Sequence, residues 1–89
     1  MNVNFTETGW NDYSYWISQH EKKIIKRINT LIEDIERNRY DGIGKPEPLR
    51  NDLSGWWSRR IDDTHRLIYR LIDNDAIEIS QCKGHYNAK

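Results

Sequence analysis

Glu47 sits between two prolines, in the run Lys45-Pro46-Glu47-Pro48. Two pyrrolidine rings restrict the backbone on either side of that carboxylate, a costly way to hold a group that only meets solvent. Further on, "SGWWSRRIDDTHRLIYRL", residues 54–71, places two tryptophans, four arginines and a histidine in eighteen positions, and His85 and Tyr86 follow near the end of the chain. A carboxylate, an imidazole and arginines can together cleave RNA without a metal. A base takes the ribose 2′-hydroxyl proton, an acid protonates the leaving 5′-oxygen, and arginine meets the charge growing on the phosphoryl oxygens. The candidates are Glu47, His65, His85, Tyr86 and the arginines. Trp56 or Trp57 could stack a base, while Lys45, Arg50, Arg59 and Arg60 could bind phosphate. The same residues also allow a structural reading, with the tryptophans in the core and Arg59, Arg60 and Arg66 paired to Asp62 and Asp63. Spacing leaves both readings open.

Other chemistries fit worse. Cys82-x-x-His85 imitates a metal-binding spacing, but three residues along a strand put the two side chains on opposite faces, and no second Cys/His pair exists. Neither a metal nor a cofactor is expected. "GIGKPEP" is no phosphate-binding loop, because its lysine is not followed by Ser or Thr. Cys82 reads as a buried strand-end residue rather than a nucleophile.

The elements that must position these groups follow from periodicity. "VNFT" opens with a short strand, and Thr6 or Thr8 can cap a first helix with Glu7 near its positive end. Trp10, Tyr13 and Ile17 fall on one face of that helix. Ser18 and Glu21 have the spacing of a capping box for a second helix. Its apolar stripe is Ile24, Ile25, Ile28, Leu31, Ile32 and Ile35, and its solvated face is Lys22, Lys23, Lys26, Arg27, Asp34 and Arg37. That helix ends near Arg39, and "YDGIGKPEPLRNDLSG" is a long loop of the kind that is often functional. The period then becomes two: Leu67, Tyr69 and Leu71 alternate with Arg66, Ile68 and Arg70, and Ile77 and Ile79 with Ala76, Glu78 and Ser80. The expected fold is α+β, one domain over residues 1–89, with two N-terminal helices on one face of a small, mainly antiparallel sheet.

Composition sets the limits. The chain has 89 residues with 14 basic and 14 acidic side chains, and each half is balanced too, six of each in residues 1–40 and eight of each in 41–89. A protein that binds nucleic acid by bulk charge would be basic, so attraction to phosphate must come from local clusters. The single cysteine excludes an internal disulfide. There is no apolar stretch near 18 residues and no signal pattern at the N-terminus, so the expected location is cytoplasmic, away from membranes.

Taken together, "GIGKPEPLRNDLSGWWSRRIDDTHRLIYRL" and the later "CKGHY" closely resemble the YoeB/Txe toxins of bacterial toxin–antitoxin pairs, within the RelE/ParE superfamily. The opening "WNDYSYW" and the helix "KKIIKRINTLIEDIERN" match as well, so the resemblance covers almost the whole chain. It implies a RelE-like, microbial-RNase-like fold and a ribosome-dependent endoribonuclease that cuts A-site mRNA and inhibits translation. It also implies a YefM-type antitoxin that covers the site, the 70S ribosome and mRNA as further partners, and homodimers. On the family's pattern Glu47 is the general base, Arg66 stabilises the transition state, His85 is the general acid and Tyr86 positions substrate or leaving group. Arg50, Arg59 and Arg60 then contact the RNA backbone beside Lys45. The alternative on the same fold is a ParE-like toxin that inhibits a DNA topoisomerase by binding and cleaves nothing. Arg50 stands where lysine is common in the family, Gly84 where an aromatic is common, and Asn87, Ala88 and Lys89 extend past the usual end.

Overall fold

In the computed structural model, which describes residues 1–73 and 75–85, the elements run β1 (Asn2–Phe5), α1 (Glu7–Ser18), α2 (Lys22–Asn38), β2 (Glu47–Pro48), a 3₁₀ turn (Asn51–Leu53), β3 (Trp57–Arg60), β4 (Arg66–Ile72) and β5 (Ala76–Gln81). The five strands form one sheet in the order β1-β5-β4-β3-β2. Every pairing is antiparallel except β1 with β5. Two helices pack on one face, the α+β arrangement expected. The proline-flanked β2 lies at the sheet's edge, where a missing N–H costs no ladder bond. No helix among the described residues is long and apolar enough to cross a membrane.

The isoleucine stripe of α2 is the core. Ile28, Leu31 and Ile35 are fully buried with Leu67, Tyr69, Ile77 and Ile79, and Ile24, Ile25 and Ile32 pack at the margin. Leu31→Ala is expected to cost about 2–5 kcal/mol, because the lost transfer energy is joined by a cavity that rigid neighbours cannot fill. Urea unfolding checks this, and an unchanged midpoint would remove the stripe from the core.

Helix α1 departs from its expected face. Its buried residues are Gly9 and Trp16, whereas Trp10 is 53% and Ile17 49% exposed. Gly9 is the reason. A Cβ there would come within 2.3 Å of the Ile79 carbonyl oxygen, so the helix backbone lies directly on β5. Gly9, Tyr13 and Trp16 form the contact line, and a glycine is invisible to a count of apolar residues. Trp10 instead joins Phe5 and Tyr13 in an aromatic group at the margin, with ring centroids 5.7 and 6.4 Å away. Thr6 is the N-cap and accepts from the Gly9 N–H at 3.1 Å. The Ser18/Glu21 capping box does not form. Ser18 remains in α1, its hydroxyl donating to the Tyr15 carbonyl, and Glu21 caps α2 without a side-chain bond.

Candidate active site

Pleating sorts the later side chains onto two faces. Trp57, Arg59, Leu67 and Tyr69 point to the helices. The register aligns Glu47 with Ser58, Ser58 with Ile68, and Arg60 with Arg66, so all five belong to the open face. Glu47 and Arg60 are exposed there and Arg66 is half-buried. Leu49 and Ile68 are buried although both stand outside the helix-side cluster, and they give this face an apolar floor. Leu49 is tied down by its N–H to the Trp56 carbonyl, 2.9 Å. Lys45 and Arg50 flank Glu47 and are exposed. Lys45 has φ +52, a left-handed conformation unusual for a side-chain-bearing residue just before proline and of the kind that concentrates at functional sites.

The arginine pair divides. Arg60 stays outside, whereas Arg59 is fully buried and cannot contact RNA, which corrects its assignment as a substrate-binding residue. Adjacent strand residues point to opposite faces, and Arg59 points into the core. Its Nε donates to Tyr69 Oη at 3.1 Å, one terminal nitrogen to Asp34 and the Ile43 carbonyl, and the other to the Arg39 and Asp41 carbonyls. Those five bonds use every donor of the guanidinium. The hydrogen bond from Arg59 holds the Asp34 carboxyl below its ordinary value, against the upward push of burial. Asp34 therefore does not belong to a solvated face of α2. Among the described residues the ion pairs are Arg59–Asp34 and Arg70–Glu78, so Arg60 and Arg66 are not paired to Asp62 or Asp63. The tryptophans divide in the same way. Trp57 stacks on Tyr40 at 4.6 Å, and Trp56 lies under the Arg70 guanidinium at 4.5 Å.

Arg66 is fixed by the turn before it. One terminal nitrogen donates to the carbonyls of Asp62 at 2.8 Å and His65 at 3.1 Å. The Asp62 side chain accepts the N–H groups of Thr64 and His65, which closes the turn.

His85 is exposed, but the chain leading to it is held at successive points. Between the pairs Tyr69–Ile79 and Ile68–Gln81 the register shifts, leaving Ser80 as an extra residue on β5. Such a bulge re-aims the strand. It turns Gln81 to the open face, where its amide nitrogen donates to the carbonyls of Lys83 and His85 at 3.0 and 3.1 Å. Cys82 is held by α1: Asp12 accepts its N–H at 3.0 Å and Trp16 Nε1 donates to its carbonyl at 2.9 Å. The Gly84 N–H donates to His65 Nδ1 at 2.8 Å, and the Gly84 carbonyl accepts the Arg66 N–H at 3.0 Å. His85 is thus delivered beside Arg66. Tyr86 lies outside the described residues. Burial, aided by the Asp12 carboxylate, pushes the Cys82 thiol up to about 12, so it is no nucleophile at neutral pH.

Sequence reasoning missed Asp34, Gln81 and the part played by His65. The period-two rule could have separated Arg59 from Arg60. No local signal marks the bulge at Ser80.

The model of the YoeB-like toxin of bacterial type II toxin–antitoxin systems matches residues 5–86. A protein named Toxin YoeB from Streptomyces coelicolor is 55% identical over 97% of this chain and 100% of its own length. Two solved structures from Staphylococcus aureus also superpose on the chain. One is a YoeB–YefM complex, with TM-score 0.87 and 46% identity, and the other a YoeB dimer, with TM-score 0.86 and 45% identity. Each alignment covers 97% of this chain and 98% of the other.

Proposed function

The chain belongs to the YoeB-like toxins of bacterial type II toxin–antitoxin systems, and from that membership we propose that it is a ribosome-dependent endoribonuclease that cuts A-site mRNA and so inhibits translation. The observation that carries this reading is the sharing of one sheet face by Glu47, Arg60 and Arg66, with His85 tethered beside them. Glu47 takes the proton of the ribose 2′-hydroxyl, and the 2′-oxygen attacks phosphorus. The bond to the 5′-oxygen breaks as protonated His85 gives that oxygen its proton. Arg66 meets the charge on the phosphoryl oxygens, and Tyr86 positions the leaving group. Lys45, Arg50 and Arg60 hold the RNA backbone by charge-assisted bonds. The products are a 2′,3′-cyclic phosphate and a 5′-hydroxyl, and no step needs a metal or cofactor.

The likeness to a YoeB–YefM complex supports a YefM-type antitoxin as partner, and on this reading the antitoxin covers the Arg60/Arg66 face and shuts out RNA. The likeness to a YoeB dimer supports homodimers. The 70S ribosome carries the substrate, and the site of action is the cytoplasm.

The test uses ribosomes programmed with an mRNA whose cut position carries either a 2′-hydroxyl or hydrogen. The parent message is expected to yield 5′-hydroxyl and 2′,3′-cyclic phosphate ends, and the deoxy message to stay whole. Cleavage of the deoxy message would overturn the mechanism. A topoisomerase inhibitor on this fold would produce no new RNA ends at all.

A further inference from the structure

His65 lies next to Arg66, yet its side chain serves the end of the chain. Nδ1 accepts the Gly84 N–H at 2.8 Å. The ring is set edge-on to Trp16, with centroids 4.8 Å apart, and Trp16 in turn donates to the Cys82 carbonyl. Gly84 has φ +80, so the chain bends sharply just before His85. Among the described residues no strand follows it, and the bend is held by the groups that take its N–H and carbonyl together with Gln81, whose amide nitrogen reaches the Gly84 and His85 carbonyls at 3.4 and 3.1 Å. The carbonyl goes to the Arg66 N–H, and the N–H goes to His65.

We infer that His65 is a positioning residue for the proton donor: by accepting the Gly84 N–H through Nδ1, it sets where the His85 imidazole stands relative to the Arg66 guanidinium. The inference rests on the reading of His85 as general acid. It assigns His65 no contact with RNA. Its effect falls on the chemical step and leaves ribosome binding untouched, because a donor displaced by about an ångström slows transfer without weakening the hold on substrate.

The experiment measures single-turnover cleavage and ribosome affinity for five proteins: His65→Ala, His65→Gln, His65→Asn, His85→Gln and the double variant His65→Ala/His85→Gln. An Asn side-chain oxygen overlies imidazole Nδ1 and can accept the Gly84 N–H, whereas the Gln oxygen falls at the Nε2 position and cannot. His65→Ala and His65→Gln are expected to slow cleavage about 10- to 100-fold at unchanged affinity. His65→Asn is expected to restore most of that loss. With His85 already replaced, His65→Ala is expected to change the rate less than about 2-fold, since there is no donor left to place. Hydrogen exchange of the Gly84 amide is expected to quicken in the Ala and Gln variants and stay slow in Asn. Equal slowing by His65→Ala with and without His85, or equal rates for the Asn and Gln variants, would overturn the inference. A His85→Gln protein as fast as the parent would overturn the general-acid reading first, visibly in the single variant, and this inference with it.

Discussion

Glu47→Gln, His85→Gln and Arg66→Ala are each expected to slow single-turnover cleavage on programmed ribosomes by about 10²–10⁴-fold, with mRNA and ribosome affinity nearly unchanged. Each factor corresponds to about 2.7–5.5 kcal/mol of transition-state stabilisation. Gln keeps the size of Glu47 and its acceptor oxygen but cannot take the 2′-proton. Gln at position 85 keeps a hydrogen-bonding group but cannot give a proton to the leaving oxygen. Ala at position 66 removes a cation whose placement is set by the Asp62 and His65 carbonyls. On the proposed mechanism the three act on one proton-transfer and charge-development event, so the triple variant is expected to be far less impaired than the product of the single factors. Factors that multiply cleanly would show three independent roles. A rate unchanged in any single variant would remove that residue from the mechanism.

Arg59→Ala is expected to be among the most destabilising substitutions in the chain, at about 3–5 kcal/mol, because it strips the cation and five donors from a buried network and leaves the Asp34 carboxylate without its countercharge. Three backbone carbonyls, the Tyr69 hydroxyl and the Asp34 carboxylate all lose a donor. Against a total of about 5–15 kcal/mol for a domain, that is a large share. Arg59→Lys is expected to rescue little, since an ammonium has three donors and no planar fork. Three of the acceptors lie at residues 39–43, on the approach to Glu47, so folded Arg59 variants are also expected to cleave slowly. The acid side of the pair gives a signed pH effect. Asp34 titrates below its ordinary 3.8 in the folded chain, chiefly through the bond from Arg59. Its contribution is therefore complete above the unfolded carboxyl's range and is lost as pH falls through the folded value. The gap in melting temperature between the parent and Asp34→Asn is expected to narrow as pH drops from about 6 to about 3. A gap independent of pH would mean that the carboxylate charge contributes nothing.

Much of this was legible in the residues. The α2 stripe, the alternation of β4 and the constraint on Glu47 each depend on local rules, and each element formed as those rules require. Apart from Arg59, which the period-two rule already separates from Arg60, the errors share a cause: tertiary partners decided between locally equivalent options. Ser18 could cap α2 or finish α1, and the close seat of Gly9 on β5 belongs to a helix that runs on through Ser18. Trp10 and Ile17 had the right spacing for a core face, but the sheet took the line through Gly9. Asp34 looked solvated because its partner lies 25 residues away. The tether of His85 was least legible, since it depends on a one-residue bulge and on Asp12, Trp16 and His65, none of them near it in sequence.

The parallel pairing of β1 with β5 has a consequence for the order of synthesis. Strand β1 precedes the other four strands in the sequence, and among the described residues its strand neighbour is β5, the last of them. Thr6 waits for Ser80, 74 residues later, before their hydrogen bond can close. Helix α1 has no strand to rest Gly9 on until then, and through Asp12 and Trp16 it has no Cys82 to hold. Contacts that span so much chain form late. A chain made only as far as β4 therefore contains Glu47 and Arg66 but neither β5 nor the held points at Cys82 and Gly84 that lead to His85. The face that brings Gly84 against Arg66 is complete only once β5 has been made, and on the proposed mechanism a chain that stops before β5 is expected not to cut RNA.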